Sequence, residues 1–168
     1  QIEWKSEHTE CVAALAEHED AAALLPQPFV TTAQSKNDSL RVALYLTEEW
    51  DKIQKDNGGN SSLVTGVTVV RTQFAQEHPE IVEDFMERYQ ESVSYVNEHI
   101  EEAAKLIGDY DIVPEEIAKK ALPECNIVYI DGAEMKEKLS GYLEVLEQEN
   151  PQAVGGVLPA DEFYYDAE

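Results

Sequence analysis

The sequence predicts an α/β fold with a strand-and-helix front and a helical back, and three observations predict it. Up to residue 63, short apolar runs alternate with segments of helical spacing, the signature of parallel β-α-β units whose helices cover a sheet. Past residue 71 the apolar residues recur at spacings of three and four, which is amphipathic helix. The first of these regions closes on Asp56-Asn57-Gly58-Gly59-Asn60-Ser61-Ser62, a run of turn-forming residues that reads as a loop.

Each element has its own signal. Ile2-Glu3-Trp4 is a candidate strand end. Ser6 is placed to cap a helix running to about Glu17, with Glu7 in its first turn and Val12, Leu15 and Ala16 turned inward. Asp20 to Leu25 is a small-apolar run stopped by Pro26 and Pro28, which suits a buried strand ending in a turn. Phe29 to about Ser35 is a short helix. Leu40 to Leu46 is a further strand, after which Thr47 caps a helix that holds Trp50. Leu63 to Arg71 is rich in β-branched residues, with Thr65-Gly66 near its start. Pro79 then opens a helix whose stripe is Val82, Phe85, Met86, Tyr89, Val93 and Val96. Ile100, Ala103, Ala104 and Ile107 repeat the stripe on a second helix, and Pro114 begins a third with Ile117 and Ala121 inward. Asn126 to Ile130 is a brief extended piece. Asp131 and Glu134 form a D-x-x-E capping box ahead of Met135, Leu139, Tyr142, Leu143 and Leu146. No internal repeat is visible.

Composition narrows the function classes. The 168 residues carry 12 Lys+Arg against 35 Asp+Glu, a formal net charge of −23, so nucleic acid and anionic membrane surfaces would be repelled. No basic stripe offers a local exception. Hydrophobic residues at 43% supply enough apolar surface for a core, which argues against wholesale disorder. No run approaches the ~18 apolar residues of a membrane span, and no signal-peptide pattern opens the chain. The start, Gln1-Ile2-Glu3-Trp4-Lys5 without Met, reads as the interior of a longer protein. Cys11 and Cys125 lie far apart and neither belongs to a C-x-x-C pair, so two separate buried thiols are expected rather than a disulfide scaffold or zinc ribbon.

A search for chemistry finds little. His8, His18, His78 and His99 make no H-E-x-x-H. His8-Thr9-Glu10 fits the H-x-E half of a zinc deaminase, but Pro123-Glu124-Cys125 offers one thiol where P-C-x-x-C needs two. His8 and Cys11 share a helical face without a third or fourth ligand in view. There is no G-x-S-x-G, and Gly58-Gly59 is not followed by the G-K-[ST] of a phosphate loop. Asp109/Asp111 and Asp161/Glu162 fit solvated loops. Asn37-Asp38-Ser39 and Asn60-Ser61-Ser62 match the N-glycosylation tripeptide, as short loops often do. No catalytic residue, metal or cofactor is expected.

Several segments taken in order resemble the solute-binding proteins of bacterial ABC importers, in the nitrate/sulfonate/taurine-type group. Asp20 to Phe29 (DAAALLPQPF) resembles that group's DAAxLPEPF segment. Thr65-Gly66-Val67-Thr68-Val69-Val70-Arg71, with Phe74, Glu77, His78, Pro79 and Glu80, is similar to its G-V-x-V-V-R-x-x-F-x-x-x-x-P-E stretch. Pro123 to Val128, Asn150-Pro151 and Gly155-Gly156-Val157-Leu158-Pro159 through Phe163-Tyr164-Tyr165 resemble a clostridial-looking branch.

That resemblance implies part of a two-lobed, periplasmic-binding-protein-like (type II) fold with three-layer α/β/α lobes and a ligand between them. Residues 1–63 would be the later part of lobe 2, and 64–168 the return crossing strand with the C-terminal helical part of lobe 1. Roughly the first half of the expected protein would then lie outside this chain, and its signal with it. The implied ligand-binding residues are Ser6, Pro26, Gln27, Thr65 and Gly66. Ser6 and the amides after it sit at a helix N-terminus, where an anion is favoured. Pro26-Gln27 end a strand, where open α/β sheets place ligands. Gln27 stands where the family commonly has Glu. Thr65 and Gly66 would lie at the hinge, Gly66 admitting close backbone approach. The plainer alternatives are an ordinary cap, a turn and a β-bulge.

The implied function is extracytoplasmic capture of a small polar or anionic solute, in the periplasm or on a cell-surface lipoprotein, for delivery to ABC permease subunits. No enzyme activity, nucleic-acid partner or direct membrane insertion by this segment is expected. Two other readings stay open: a sensing or protein-interaction lobe of a regulator, and an enzyme of the thiamin-pyrimidine type on the same fold. The enzyme resembling this family carries a cysteine cluster that two distant thiols do not supply.

Overall fold

The structure, a computed structural model, describes residues 2–18 and 20–165; Gln1, with which the sequence opens, lies outside the described residues. Its α-helices are α1 (His8–Glu17), α2 (Phe29–Lys36), α3 (Leu46–Asn57), α4 (Thr72–Glu77), α5 (Pro79–Glu98), α6 (Ile100–Asp109), α7 (Glu115–Ala121) and α8 (Gly132–Glu149). Short 3-10 turns follow at Leu122–Glu124, Pro151–Val154 and Asp161–Phe163.

No β-strand is formed among the described residues, so the expected three-layer α/β/α arrangement is not confirmed by them. The runs expected as strands, near residues 2–4, 20–25, 40–46, 63–71 and 126–130, are irregular apart from the start of α3 at Leu46. The physical reason is that a strand exists only through backbone bonds to a neighbour. These runs have the composition for pairing, but no strand pairs with them within the described chain. Asp20 to Leu24 are exposed rather than buried.

Two helix caps also differ from expectation. The N-cap of α3 is Tyr45, with Thr47 already inside the helix. Asp131 caps α8 by backbone position without a side-chain cap bond. Its carboxylate instead accepts the Tyr129 hydroxyl at 2.8 Å, so the expected box with Glu134 is not closed. The helix opened by Pro79, the short helix from Phe29 and the helix after Pro114 form where the periodicity places them.

The chain divides into two compact units, residues 1–43 with 89–128, and residues 44–88 with 129–168, each drawing on both sides of position 63. The first unit is centred on α6 and α7. Ala103, Ala104, Ala118 and Leu122 are its buried cluster, with Val96, Ile100, Ile107, Val113 and Ile127 packed around it. Alanine at the contact lets the helices approach closely, and Gly108 continues this: a Cβ there would sit 3.0 Å from Glu115 Cβ. An ion pair between Lys119 and Glu101 spans the same two helices, and Asn97 Nδ2 donates to the Ile127 carbonyl at 2.9 Å. α2 packs on both α1 and α7.

The second unit is organised around Ser61, which is 7% exposed. The Trp50 indole N–H on α3 donates to Ser61 at both its carbonyl (3.3 Å) and its hydroxyl (3.2 Å). Trp50 also meets Tyr142 of α8 with ring centroids 5.4 Å apart. Gly141 of α8 lies so near that an added Cβ would be 3.2 Å from Ser61 Cα. Lys136 pairs with Asp161 at 2.9 Å and lies over the Tyr164 ring, tying the C-terminal segment to α8.

Candidate functional site

The geometry at the start of α1 differs from the expected cap. Glu7, not Ser6, is the N-cap, and its side chain and that of Glu10 form a reciprocal box. Glu10 Oε2 accepts the backbone N–H of Ser6 at 3.1 Å and of Glu7 at 3.3 Å. A capping carboxylate therefore already meets the Ser6 amide expected to receive an anion. Glu3 and Lys5 pair just upstream, and that bond holds the Glu3 carboxyl below and the Lys5 ammonium above their usual ranges.

Pro26 and Gln27 organise the start of α2. The Pro26 carbonyl accepts from Phe29 and Val30 N–H at 3.0 and 3.2 Å. Gln27 Oε1 accepts from the Thr31 N–H at 3.2 Å and the Thr31 hydroxyl at 2.9 Å, and the Gln27–Pro28 peptide is cis. Gln27 thus caps α2 from the position before the N-cap Pro28, and its amide N–H₂ makes no hydrogen bond among the described residues.

A contact that sequence reasoning missed brings these two helix starts together. His8, the first residue of α1, stacks on Phe29, the first of α2, with centroids 4.9 Å apart and ring planes at 26°. The positive ends of two helix dipoles are thereby adjacent, one met by a carboxylate and the other by a neutral carboxamide. Beside the stack, a recess of about 110 Å³ is lined by Val12, Phe29, Thr32 and Val113 among others, together with Lys36. None of Ser6, Pro26, Gln27, Thr65 or Gly66 lines it.

Thr65 and Gly66 belong to the second unit and are exposed. A Cβ on Gly66 would meet nothing within 4 Å among the described residues, and its φ is outside the left-handed region.

Other candidate chemistry is sparse. Among the described residues no three His, Cys, Asp or Glu side chains are grouped to hold a metal ion. Cys11 and Cys125 are free and half-buried, and burial, with Glu124 beside it, pushes the Cys125 thiol up. No described helix is long and apolar enough to cross a membrane.

Comparison with known proteins places the fold. The chain matches a crystal structure of an ABC transporter from Parabacteroides distasonis with a TM-score of 0.77 and 22% identity, over 98% of this chain and 55% of that one. It has the fold of that matched part. A putative aliphatic sulfonates-binding protein of Bacillus subtilis (strain 168) is 34% identical over 67 residues, 39% of this chain and 20% of its own length. The chain thus spans about half of its structural neighbour and aligns with a fifth of its curated relative. No protein-family model matches it.

Proposed function

We propose that the chain is part of an extracytoplasmic solute-binding protein of the nitrate/sulfonate/taurine type, which captures a small polar or anionic solute and passes it to ABC permease subunits. The observation that carries this is the fold match along 98% of the chain to an ABC transporter structure. The 67-residue similarity to a putative aliphatic sulfonates-binding protein favours an anion of the aliphatic sulfonate class. No bond is made or broken in this role.

Ser6, Pro26 and Gln27 would contribute polar contacts to the solute, with Thr65 and Gly66 a second set. Support for the first set is the pairing of two helix N-termini across His8 and Phe29. A negative ligand there must displace or share the Glu10 carboxylate. In a chain of net charge −23, such an anion depends on local N–H groups against an unfavourable overall field.

The test is a thermal-shift and calorimetric panel of alkyl sulfonates, taurine, nitrate, amino acids and pyrimidines against the longest product of this reading frame. Binding of a sulfonate, weakened at least tenfold by Gln27→Leu, is the expected outcome. A panel flat throughout, or sulfonate binding indifferent to Gln27, counts against the assignment.

A further inference from the structure

The recess beside the His8–Phe29 stack lies wholly within the first unit, and three separate parts of the chain build its walls. Thr9 and Val12 come from α1, Phe29, Thr32 and Lys36 from α2, and Val113 from the segment between α6 and α7. Each wall is fixed independently. Val12 is buried, and the Phe29 ring is backed by the His8 imidazole. The Thr32 hydroxyl donates to the Pro28 carbonyl at 3.0 Å, which uses its one proton. Val113 follows a Schellman motif that closes α6. There the Asp111 N–H donates to the Gly108 carbonyl at 3.0 Å and the Ile112 N–H to the Ile107 carbonyl at 3.1 Å, with Asp111 itself left-handed at φ 54°. Small-molecule sites are preformed hollows of this kind, apolar for the most part, with a few polar groups that fix orientation.

The polar groups and the volume together define an occupant. The Lys36 ammonium makes no ion pair among the described residues, and the Thr9 hydroxyl makes no hydrogen bond there. Both are donors, so their complement is an acceptor, and beside an ammonium an anionic one. An engineered apolar cavity of about 150 Å³ holds the ring of benzene, and by that measure the recess of about 110 Å³ has room for roughly four carbons. We infer that this recess binds a short-chain aliphatic monoanion, a carboxylate or sulfonate, with its chain against Val12, Phe29 and Val113 and its head group on Lys36 and Thr9. The site shares no residue with the set Ser6, Pro26, Gln27, Thr65 and Gly66, and it does not rest on the reading of those residues.

The test is a methyl and amide NMR titration of residues 1–168 with butyrate, propane-1-sulfonate, butan-1-ol and butylammonium. The expected result is a saturable shift of the Val12, Thr32 and Val113 methyl signals by butyrate or propane-1-sulfonate, the tighter of the two naming the head group. Butan-1-ol binds about fivefold more weakly, the scale of one solvent-exposed ion pair, and butylammonium more weakly still. Lys36→Met keeps an apolar stem and removes the charge, so it brings the anions down to the butan-1-ol level. Added salt weakens the anions and leaves butan-1-ol unchanged. Thr9→Phe, at an exposed position in the first turn of α1, fills the hollow and abolishes the shifts, with the far-ultraviolet dichroism unchanged. The inference is overturned by the absence of a saturable shift with either anion, by equal affinities for anion and alcohol, or by binding indifferent to Lys36→Met. Shifts confined to the Ser6 and Gln27 amides overturn it too while supporting the solute-binding reading, and shifts confined to the recess do the reverse, so the two fail separately.

Discussion

Trp50 donates one indole N–H to two oxygens of Ser61, the carbonyl at 3.3 Å and the hydroxyl at 3.2 Å. Because Ser61 is buried, no water stands ready to replace that donor. Trp50→Phe keeps an aromatic ring against Tyr142 but removes the N–H. The expected cost is about 1–3 kcal/mol, the usual penalty for an orphaned buried acceptor. Calorimetry should show a fall of roughly 2–4 °C in melting temperature per kcal/mol for a chain of this size. An unchanged melting temperature would mean that the two oxygens find other donors.

Two glycines separate space from conformation. Gly66 faces open surroundings with ordinary φ, so Gly66→Ala is expected to be neutral or to stabilise by up to about 1 kcal/mol through the unfolded state. At Gly108 a Cβ would lie 3.0 Å from Glu115 Cβ and 3.2 Å from Glu115 N, which is backbone that cannot swing aside. Overpacking of about 1–3 kcal/mol, offset by about 1 kcal/mol of helix propensity, leaves Gly108→Ala a net loss of up to about 2 kcal/mol. Urea unfolding of both variants checks the order; a Gly108→Ala at least as stable as Gly66→Ala contradicts it.

Gln27 offers a cap test with a pH signature. Gln27→Ala removes the acceptor for Thr31 N–H and should cost about 0.5–2 kcal/mol. Gln27→Glu places a carboxylate at the same helix end, where the dipole lowers its folded pKa below the unfolded value of about 4.3. Its added stability is then present above pH ~4.3 and lost as pH falls through the lower folded value. Unfolding curves of wild type and Gln27→Glu should therefore diverge at neutral pH and converge in acid. Parallel curves across that range contradict the capping role.

Helices were legible here and strands were not, for a reason of physics. A helix closes its bonds within its own segment, so the stripe Val82 to Val96 locates α5, and Ala103-Ala104 with Ala121 locate the α6–α7 contact, where Ala118 is buried and the expected Ile117 only half-buried. Caps were legible only to within one or two residues: Tyr45 caps where Thr47 was expected, and Glu7 where Ser6 was, Glu10 closing the box with Glu7. A strand closes its bonds with a neighbour, so β-branched composition at 63–71 signals capacity without saying whether a partner is within reach. Of the candidate site, Gln27 was visible as part of a proline-bounded turn. The stacking of His8 on Phe29 was not, since residues 21 apart carry no periodic signal.

Tyr129 supplies a prediction that rests on one phenol. Burial, then the hydrogen bond to Asp131 and its negative charge, push the Tyr129 pKa up to about 12. The bond favours the protonated form because the hydroxyl donates and a carboxylate only accepts. In the unfolded chain the phenol ionises near 10. Between those values the folded state holds a proton that the unfolded state has lost, so stability falls as pH rises. The contribution is complete below pH ~10 and gone above about 12. Absorbance at about 295 nm follows tyrosine ionisation, and the expectation is a late-titrating component near pH 12 that disappears in Tyr129→Phe. Asp131→Asn, which removes the negative charge and keeps an acceptor oxygen, should move that component downward without abolishing it. A late component that persists in Tyr129→Phe would assign the high pKa to another tyrosine and separate Asp131 from it.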